Sequence, residues 1–203
     1  MAHIPDGVLS LPVLAAGGVL SATALGVSVA RLRSHDIPRT AVLGAVFFVA
    51  SLITLPVGPT TVHPLLNGLM GLVLGWAAVP AIMVSLALQL VFFGFGGMTP
   101  LGVNVFNIAA PALLCAVVLR PSLMRAASSR RVTMLGAAAG AGGVLLTGSL
   151  VALSLALSSA AYLEASWLVV LTYVPVAIGE AAITGAAVAF LWRVAPDMLG
   201  ITR

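Results

Sequence analysis

The stretch Pro64–Gly94, PLLNGLMGLVLGWAAVPAIMVSLALQLVFFG, runs thirty-one residues without a charge, and how often it crosses a bilayer decides the fold. It can be one long span or two short ones divided at Pro80. Arginine placement chooses between them. Divided, the chain makes seven crossings, and the Arg31–Arg39 loop, the Arg120–Arg131 loop and the Arg193–Arg203 tail fall on one side. Undivided, the second basic loop changes sides, against the tendency of basic loops to stay inside. The reading is two spans of about fifteen residues, each ~22 Å long. Spans that short must be little tilted, shielded by neighbours or partly re-entrant.

Composition agrees with a membrane solvent. Of 203 residues, 61% are apolar and 7% charged, with a mean hydropathy of +1.20, which leaves too little polar surface for a water-soluble globule. The expected fold class is an all-α integral membrane protein of about seven transmembrane helices, forming a single transmembrane domain over residues 1–203 in the cell membrane. The nine basic residues are all arginine and sit in short loops between apolar runs, which excludes a nucleic-acid partner. Cys115 is the single cysteine and lies within an apolar run, so it has no intrachain disulfide and reads as a small packing residue. The head of the chain carries Asp6 and no Lys or Arg ahead of its first apolar run, unlike a signal peptide.

Taken in order, Val8–Ala30 is charge-free and long enough for one helix. Its small residues Gly18, Ala22, Gly26 and Ala30 recur every four positions as a ridge suited to close helix approach, within the chain or against a partner subunit. A second span covers Thr40 to about Leu55 and is broken by Pro56–Thr61, which places His63 at the start of the next helix. After the loop Gly94–Pro100, the fifth span is Leu101–Leu119. The sixth, Val132–Ala160, carries Gly136, Gly140 and Gly143 as a second small-residue face. The last runs from about Ala165 to Trp192, with Trp167, Tyr173 and Trp192 nearer its ends than its centre, as interface-seeking aromatics are. With the basic loops inside, the N-terminus, His63 and the Gly94–Pro100 loop share the outer face, and His35 lies with the arginines.

The first seven residues, MAHIPDG, hold the compact cluster of metal-binding groups in this apolar chain. A terminal amine, the amide nitrogen after it and the Nδ1 of a second-position histidine close fused five- and six-membered chelate rings. They fill three corners of a square plane, and a distant histidine can supply the fourth. All-nitrogen square-planar coordination selects late divalent metals. Histidine is third as encoded, so the expected working form begins at Ala2 after loss of Met1. With Met1 retained, the amine, two amides and the His3 ring fill the plane, and His63 becomes spare or axial.

The opening His3-Ile4-Pro5-Asp6-Gly7-Val8-Leu9 resembles that of the CbiM/NikM family, the substrate-binding membrane subunits of energy-coupling-factor cobalt and nickel importers. Four later stretches resemble the family's motifs in the same order: Gly58–His63, Phe93–Gly97, Leu101–Asn107 and Pro175–Glu180. The resemblance implies a seven-helix fold whose N-terminal segment inserts into the bundle. It also implies one divalent cobalt or nickel ion, bound as substrate, on Ala2 (amine), His3 (amide and ring) and His63 (ring), with no intrinsic cofactor. The implied partners are a coupling transmembrane subunit, a pair of ATP-binding-cassette ATPase subunits and a small accessory membrane subunit, with cobalt feeding cobalamin synthesis. The chain shows no ATPase motif of its own and is not read as an enzyme. Three positions depart from the family pattern. Ala2 shifts the histidine to third, Phe95 stands at the usual aspartate of a Phe-Gly-Asp-Gly-Gly loop, and Pro64 follows His63.

Other polar residues have bland and functional readings. Glu180, deep in the last span, is read as pinning the inserted segment in preference to binding metal, because four nitrogens leave no equatorial place. Asn104 and Asn107 share a helix face and can hydrogen-bond the inserted backbone. Asp6 is read as capping the Asp-Gly turn before Val8, and Phe95 as a gating residue. Two rival classes are weaker. A stand-alone secondary transporter needs coupling carboxylates within its spans, and an intramembrane metallohydrolase needs two histidines four apart on a helix, which the sequence lacks.

Overall fold

The structure is a computed structural model that describes residues 3–57 and 60–201. Ala2 and the Gly58–Pro59 step therefore lie outside the described residues. The helices are α1 (Leu11–Arg31), α2 (Ile37–Ala50), α3 (Asn67–Leu74), α4 (Ala78–Phe93), α5 (Leu101–Val118), α6 (Arg120–Met124), α7 (Ser129–Ser158) and α8 (Leu163–Val194). Five runs are long and apolar enough to cross a membrane: Leu11–Arg31, Asn67–Phe93, Leu101–Val118, Ser129–Ser158 and Ser166–Val194.

The run Asn67–Phe93 reverses within itself. His63, just before it, and Phe95, just after it, both place their rings against His3, at centroid distances of 5.2 and 6.1 Å. A straight helix of this length would hold its two ends about 40 Å apart. The reversal lies at Gly75–Ala77, where Gly75 adopts φ +59°, a left-handed conformation that favours glycine. Trp76 meets Arg31 at this far end, with the guanidinium 4.6 Å from the ring centroid. The two helices on either side of this turn thus run in opposite senses between a histidine end and an arginine end.

The division comes at Gly75 and not at Pro80, and the halves are unequal: eight residues in α3 and sixteen in α4. Pro80 sits in the first turn of α4, where the backbone N–H it lacks would have had no helical acceptor. At 1.5 Å per residue α3 is only ~12 Å long. All eight of its residues are buried, packed chiefly on α5 and α7 and touching α2, α4 and α8. The second span also ends earlier than expected, at Ala50. An antiparallel pair comes after it, β1 (Leu55–Val57) with β2 (Thr60–Val62), in the register Leu55↔Val62.

Glycine sets the close packing of the interior, where van der Waals contact and hydrogen bonds hold helices together in a lipid solvent. A Cβ at Gly68 would strike the Ala139 carbonyl, one at Gly71 the Ala112 carbonyl, and one at Gly140 the Glu180 carbonyl. The face Gly136–Gly140–Gly143 is thus divided: its first two residues receive α8, and Gly143 receives Asn67 of α3. Asn67 fastens this junction by donating to Thr147 Oγ1 (2.9 Å), the Gly143 carbonyl (3.2 Å) and the Ile108 carbonyl (3.3 Å).

The ridge on α1 behaves differently from a packed seam. The residues of α1 that turn inward are Gly17, Ser21 and Ser28, with Gly17 against Val103 and the Ser21 hydroxyl donating to the Gly102 carbonyl at 2.6 Å. Gly18 meets Gly102 only through its backbone, and Ala22, Gly26 and Ala30 are exposed. Tyr173, expected nearer the interface, is buried against Gly148.

Candidate metal site

At the histidine end the segment before α1 folds back into the bundle. His3 and Ile4 are buried, at 7% and 3% exposure, although Pro5, Asp6 and Gly7 beside them are exposed. Five hydrogen bonds, two through Asn104 and three through Asp6, hold the segment. Asn104, in the first turn of α5, accepts the Ile4 N–H at 3.0 Å and donates to the Ile4 carbonyl at 3.1 Å, satisfying both backbone groups of one buried residue. The Asp6 carboxylate accepts the N–H of Met98 (3.2 Å) and of Thr99 (2.9 Å), together with the Thr99 hydroxyl. Those bonds, from the Thr99 hydroxyl first, lower the Asp6 pKa below its ordinary value. Asp6 therefore clasps the entrance to α5 and does not cap its own turn.

The loop between α4 and α5 lies directly on this segment. Gly96, at φ +80°, leaves room for nothing larger: a Cβ there would be 3.1 Å from Asn104 Nδ2 and 3.4 Å from His3 Cβ. Phe95, beside it, turns its ring onto His3 at 6.1 Å and onto Phe93 at 5.6 Å. The His3 imidazole thus has Phe95 as one ring neighbour and His63 as another.

His63 arrives from the opposite side. Between β2 and α3 the chain makes a tight entry in which Leu66 takes φ +48°, rare for a branched side chain. Glu180, reaching across from α8, stabilises that entry by accepting the N–H of Leu65 and of Leu66 with one carboxylate oxygen. Both donors lie just before α3, so the carboxylate braces the approach to that helix. Glu180 accordingly fixes the His63 segment and not the N-terminal one. Asn107 also departs from expectation, hydrogen-bonding the Ser154 hydroxyl of α7 at 3.3 Å and leaving Asn104 as the contact to the inserted backbone.

The two histidines suit a cation. Their rings lie 5.2 Å apart, inclined by 27°. An imidazole nitrogen binds a late divalent metal at about 2.0–2.1 Å, so two rings sharing one ion have centroids at most about 6 Å apart. Burial, and then the proximity of His63, push the His3 pKa down to about 3, and burial lowers His63 as well. Both rings are therefore neutral near pH 7, the form that binds metal. His63 Nδ1 faces the Pro64 carbonyl at 3.1 Å, a contact that directs its lone pair to Nε2. Nε2 of His63 and Nε2 of His3 are both buried and find no hydrogen-bond partner among the described residues. Within the same residues no cluster of three or more His, Cys, Asp or Glu side chains is placed to hold an ion. Beside His3, a cavity of ≈400 Å³ opens between the N-terminal segment and α7 and α8, with Val8, Leu155 and Tyr173 among its walls.

The Asp6–Thr99 clasp and the Glu180 brace were not visible in the sequence, because each joins residues more than ninety positions apart. The one local hint was Thr99-Pro100 ahead of a charge-free run, a pattern that starts a helix.

The chain as a whole is similar to known proteins. Residues 3–198 match the family described as CbiM, cobalt uptake substrate-specific transmembrane region. A putative metal transport protein of Haemophilus influenzae is 38% identical over 202 residues, spanning 99% of this chain and 98% of that protein. A fused nickel transport protein, NikMN, of Rhodobacter capsulatus is 38% identical over 149 residues, covering 69% of this chain but 43% of that longer protein. A crystal structure of a transition metal transporter superposes with a TM-score of 0.77 at 26% identity, covering 95% of this chain and 93% of that one.

Proposed function

Since the chain belongs to the CbiM family of cobalt uptake substrate-specific transmembrane regions, a multi-pass membrane transport component, we propose that it captures one divalent cobalt or nickel ion at its histidine end. The ion would sit on the Ala2 amine, exposed by loss of Met1, on the amide and ring of His3, and on the ring of His63. The single observation that carries this reading is the buried His3–His63 pair, close enough to share an ion, with both rings neutral and the His63 Nε2 unpartnered among the described residues. Asn104 and Asp6 hold the chelating segment in its slot, Glu180 sets the approach of His63, and Phe95 closes over the His3 ring.

The first reading of the substrate is cobalt, feeding cobalamin synthesis. Nickel is the second, favoured by the name of the Rhodobacter relative and by the match of four nitrogens to square-planar Ni(II). The capture end faces outward and the arginine end faces the cytoplasm, in line with the positive-inside tendency. With no ATPase motif of its own, the chain would draw its energy from an ATP-binding-cassette pair through a coupling membrane subunit. The ridge of half-buried Gly18 and exposed Ala22, Gly26 and Ala30 is the candidate docking face. A small accessory subunit is the further partner suggested by the longer, fused relative. A stand-alone proton-coupled carrier is less favoured, because Glu180, deep in α8, is already committed to two backbone N–H groups.

Intact mass and metal analysis of the purified protein, beside His3→Ala and His63→Ala, test the proposal. One ion per chain starting at Ala2, lost in both variants, is expected. Full stoichiometry in both variants would remove the site. A retained Met1, with the ion bound independently of His63, would leave all four nitrogens to the N-terminal segment.

A further inference from the structure

The arginine end carries a second feature with binding character. Where α5 passes into α6, a cleft of ≈620 Å³ opens between Ala116, Arg120, Pro121, Met124, Arg125 and the Gly200–Ile201 tail. The Arg120 guanidinium forms part of its floor, wedged between two left-handed glycines. A Cβ on Gly75 would lie 2.8 Å from Nη1, and one on Gly200 would lie 3.4 Å from Nη2.

This cation is poorly compensated. Its Nε is buried and without a hydrogen-bond partner among the described residues. The Asp36 carboxylate, which could neutralise it, is held instead by Arg39 at 3.0 Å, with His35 3.6 Å away. Asp197, the other acid at this end, is exposed and makes no ion pair among the described residues. Burial and then the Arg39 charge act against the Arg120 cation, with Asp36 a smaller offset, and a desolvated charge without a hydrogen-bonded partner is costly. Arg125 adds a second guanidinium at the mouth. Ala116, Pro121 and Met124 line the rest, and next to them Val117 and Val118 of α5 are exposed at 64% and 57%.

A cationic floor, an apolar wall and a mouth continuous with a lipid-facing helix match an anion that carries an apolar appendage. We propose that this cleft binds a phosphate group, as the headgroup of an anionic phospholipid or as free phosphate, with Arg120 and Arg125 as its counter-charges. The inference makes no use of the metal site, so either can fail without the other.

The test is native mass spectrometry of the full chain in detergent, titrated with phosphatidylglycerol or phosphatidylcholine, with and without millimolar inorganic phosphate. Wild type should retain phosphatidylglycerol preferentially, and Arg120→Gln and Arg125→Gln should each weaken retention about fivefold. Arg33→Gln, an exposed arginine at the same end, should leave it unchanged. Arg125 is also exposed, so its variant carries the test should Arg120→Gln fail to fold. Displacement of the lipid by inorganic phosphate assigns the phosphate group itself as ligand, and undisplaced phosphatidylglycerol assigns the lipid. Equal retention of the two lipids, or an Arg33→Gln loss as large as that of Arg120→Gln, overturns the site.

Discussion

Asn104 offers the sharpest test of how the N-terminal segment is held. It gives both backbone groups of Ile4 their partners, at 3.0 and 3.1 Å, in a place where Ile4 is 3% and Asn104 2% exposed. Asn104→Ala leaves a buried N–H and a buried carbonyl unsatisfied, each at about 1–3 kcal/mol. Docking of the segment should therefore weaken by about 2–6 kcal/mol, up to the limit of its whole docking free energy. At 1.4 kcal/mol per factor of ten, the smaller figure is already a ~30-fold loss of docked population. Apparent ion affinity falls with that population, because only the docked segment presents its donors beside His63. Asn104→Asp, which keeps the acceptor for the Ile4 N–H and loses the donor, should fall between. Isothermal titration with Ni(II) reads the affinity, and hydrogen exchange at the Ile4 amide reads docking directly. An Asn104→Ala protein with affinity within about threefold of wild type and a protected Ile4 amide would refute the reasoning.

The same geometry sets other outcomes. Gly68→Ala and Gly71→Ala, whose methyl groups would meet the carbonyls of Ala139 and Ala112, should destabilise by about 1–3 kcal/mol or more, whereas Gly142→Ala, with open space at its Cβ, should not lower the melting temperature. Glu180→Gln keeps an acceptor for the Leu65 and Leu66 N–H groups and should melt near wild type, but Glu180→Leu orphans both, at about 2–6 kcal/mol. For pH, the docked His3 titrates at about 3 and a released histidine near 6.5. The released state binds the extra proton between those values, so docking is intact above about 6.5 and weakens as pH falls through the window. Exchange protection at Ile4 should be lower at pH 5 than at pH 7.5, and equal protection would contradict the burial argument.

The sequence carried the features that depend on charge and on rare polar residues. Nine arginines in two loops and a tail were enough to divide Pro64–Gly94, because a charge in lipid is costly wherever it lies. His3, His63 and Asn104 stood out for the same reason. The position of the reversal did not, because proline is the louder signal but is tolerated in a first helical turn, while the left-handed Gly75 turn has no local marker. Nor could helix register be read. Whether Glu180 meets the N-terminal segment or the Leu65–Leu66 turn, and whether α1 packs on Gly18 or on Gly17 and Ser21, depends on rotations of one residue step about helix axes. Those rotations are fixed by neighbours far away in the chain.

Helix α3 has a mechanical meaning apart from packing. Its eight residues touch protein on every side, so it stands as an internal post carrying His63 at its head, while α2, α4, α5, α7 and α8 form the wall that lipid presses on. A bilayer that thins or thickens works on the wall, through tilt and mismatch. The post has no lipid contact of its own, so such a force reaches His63 only through the helices packed around α3.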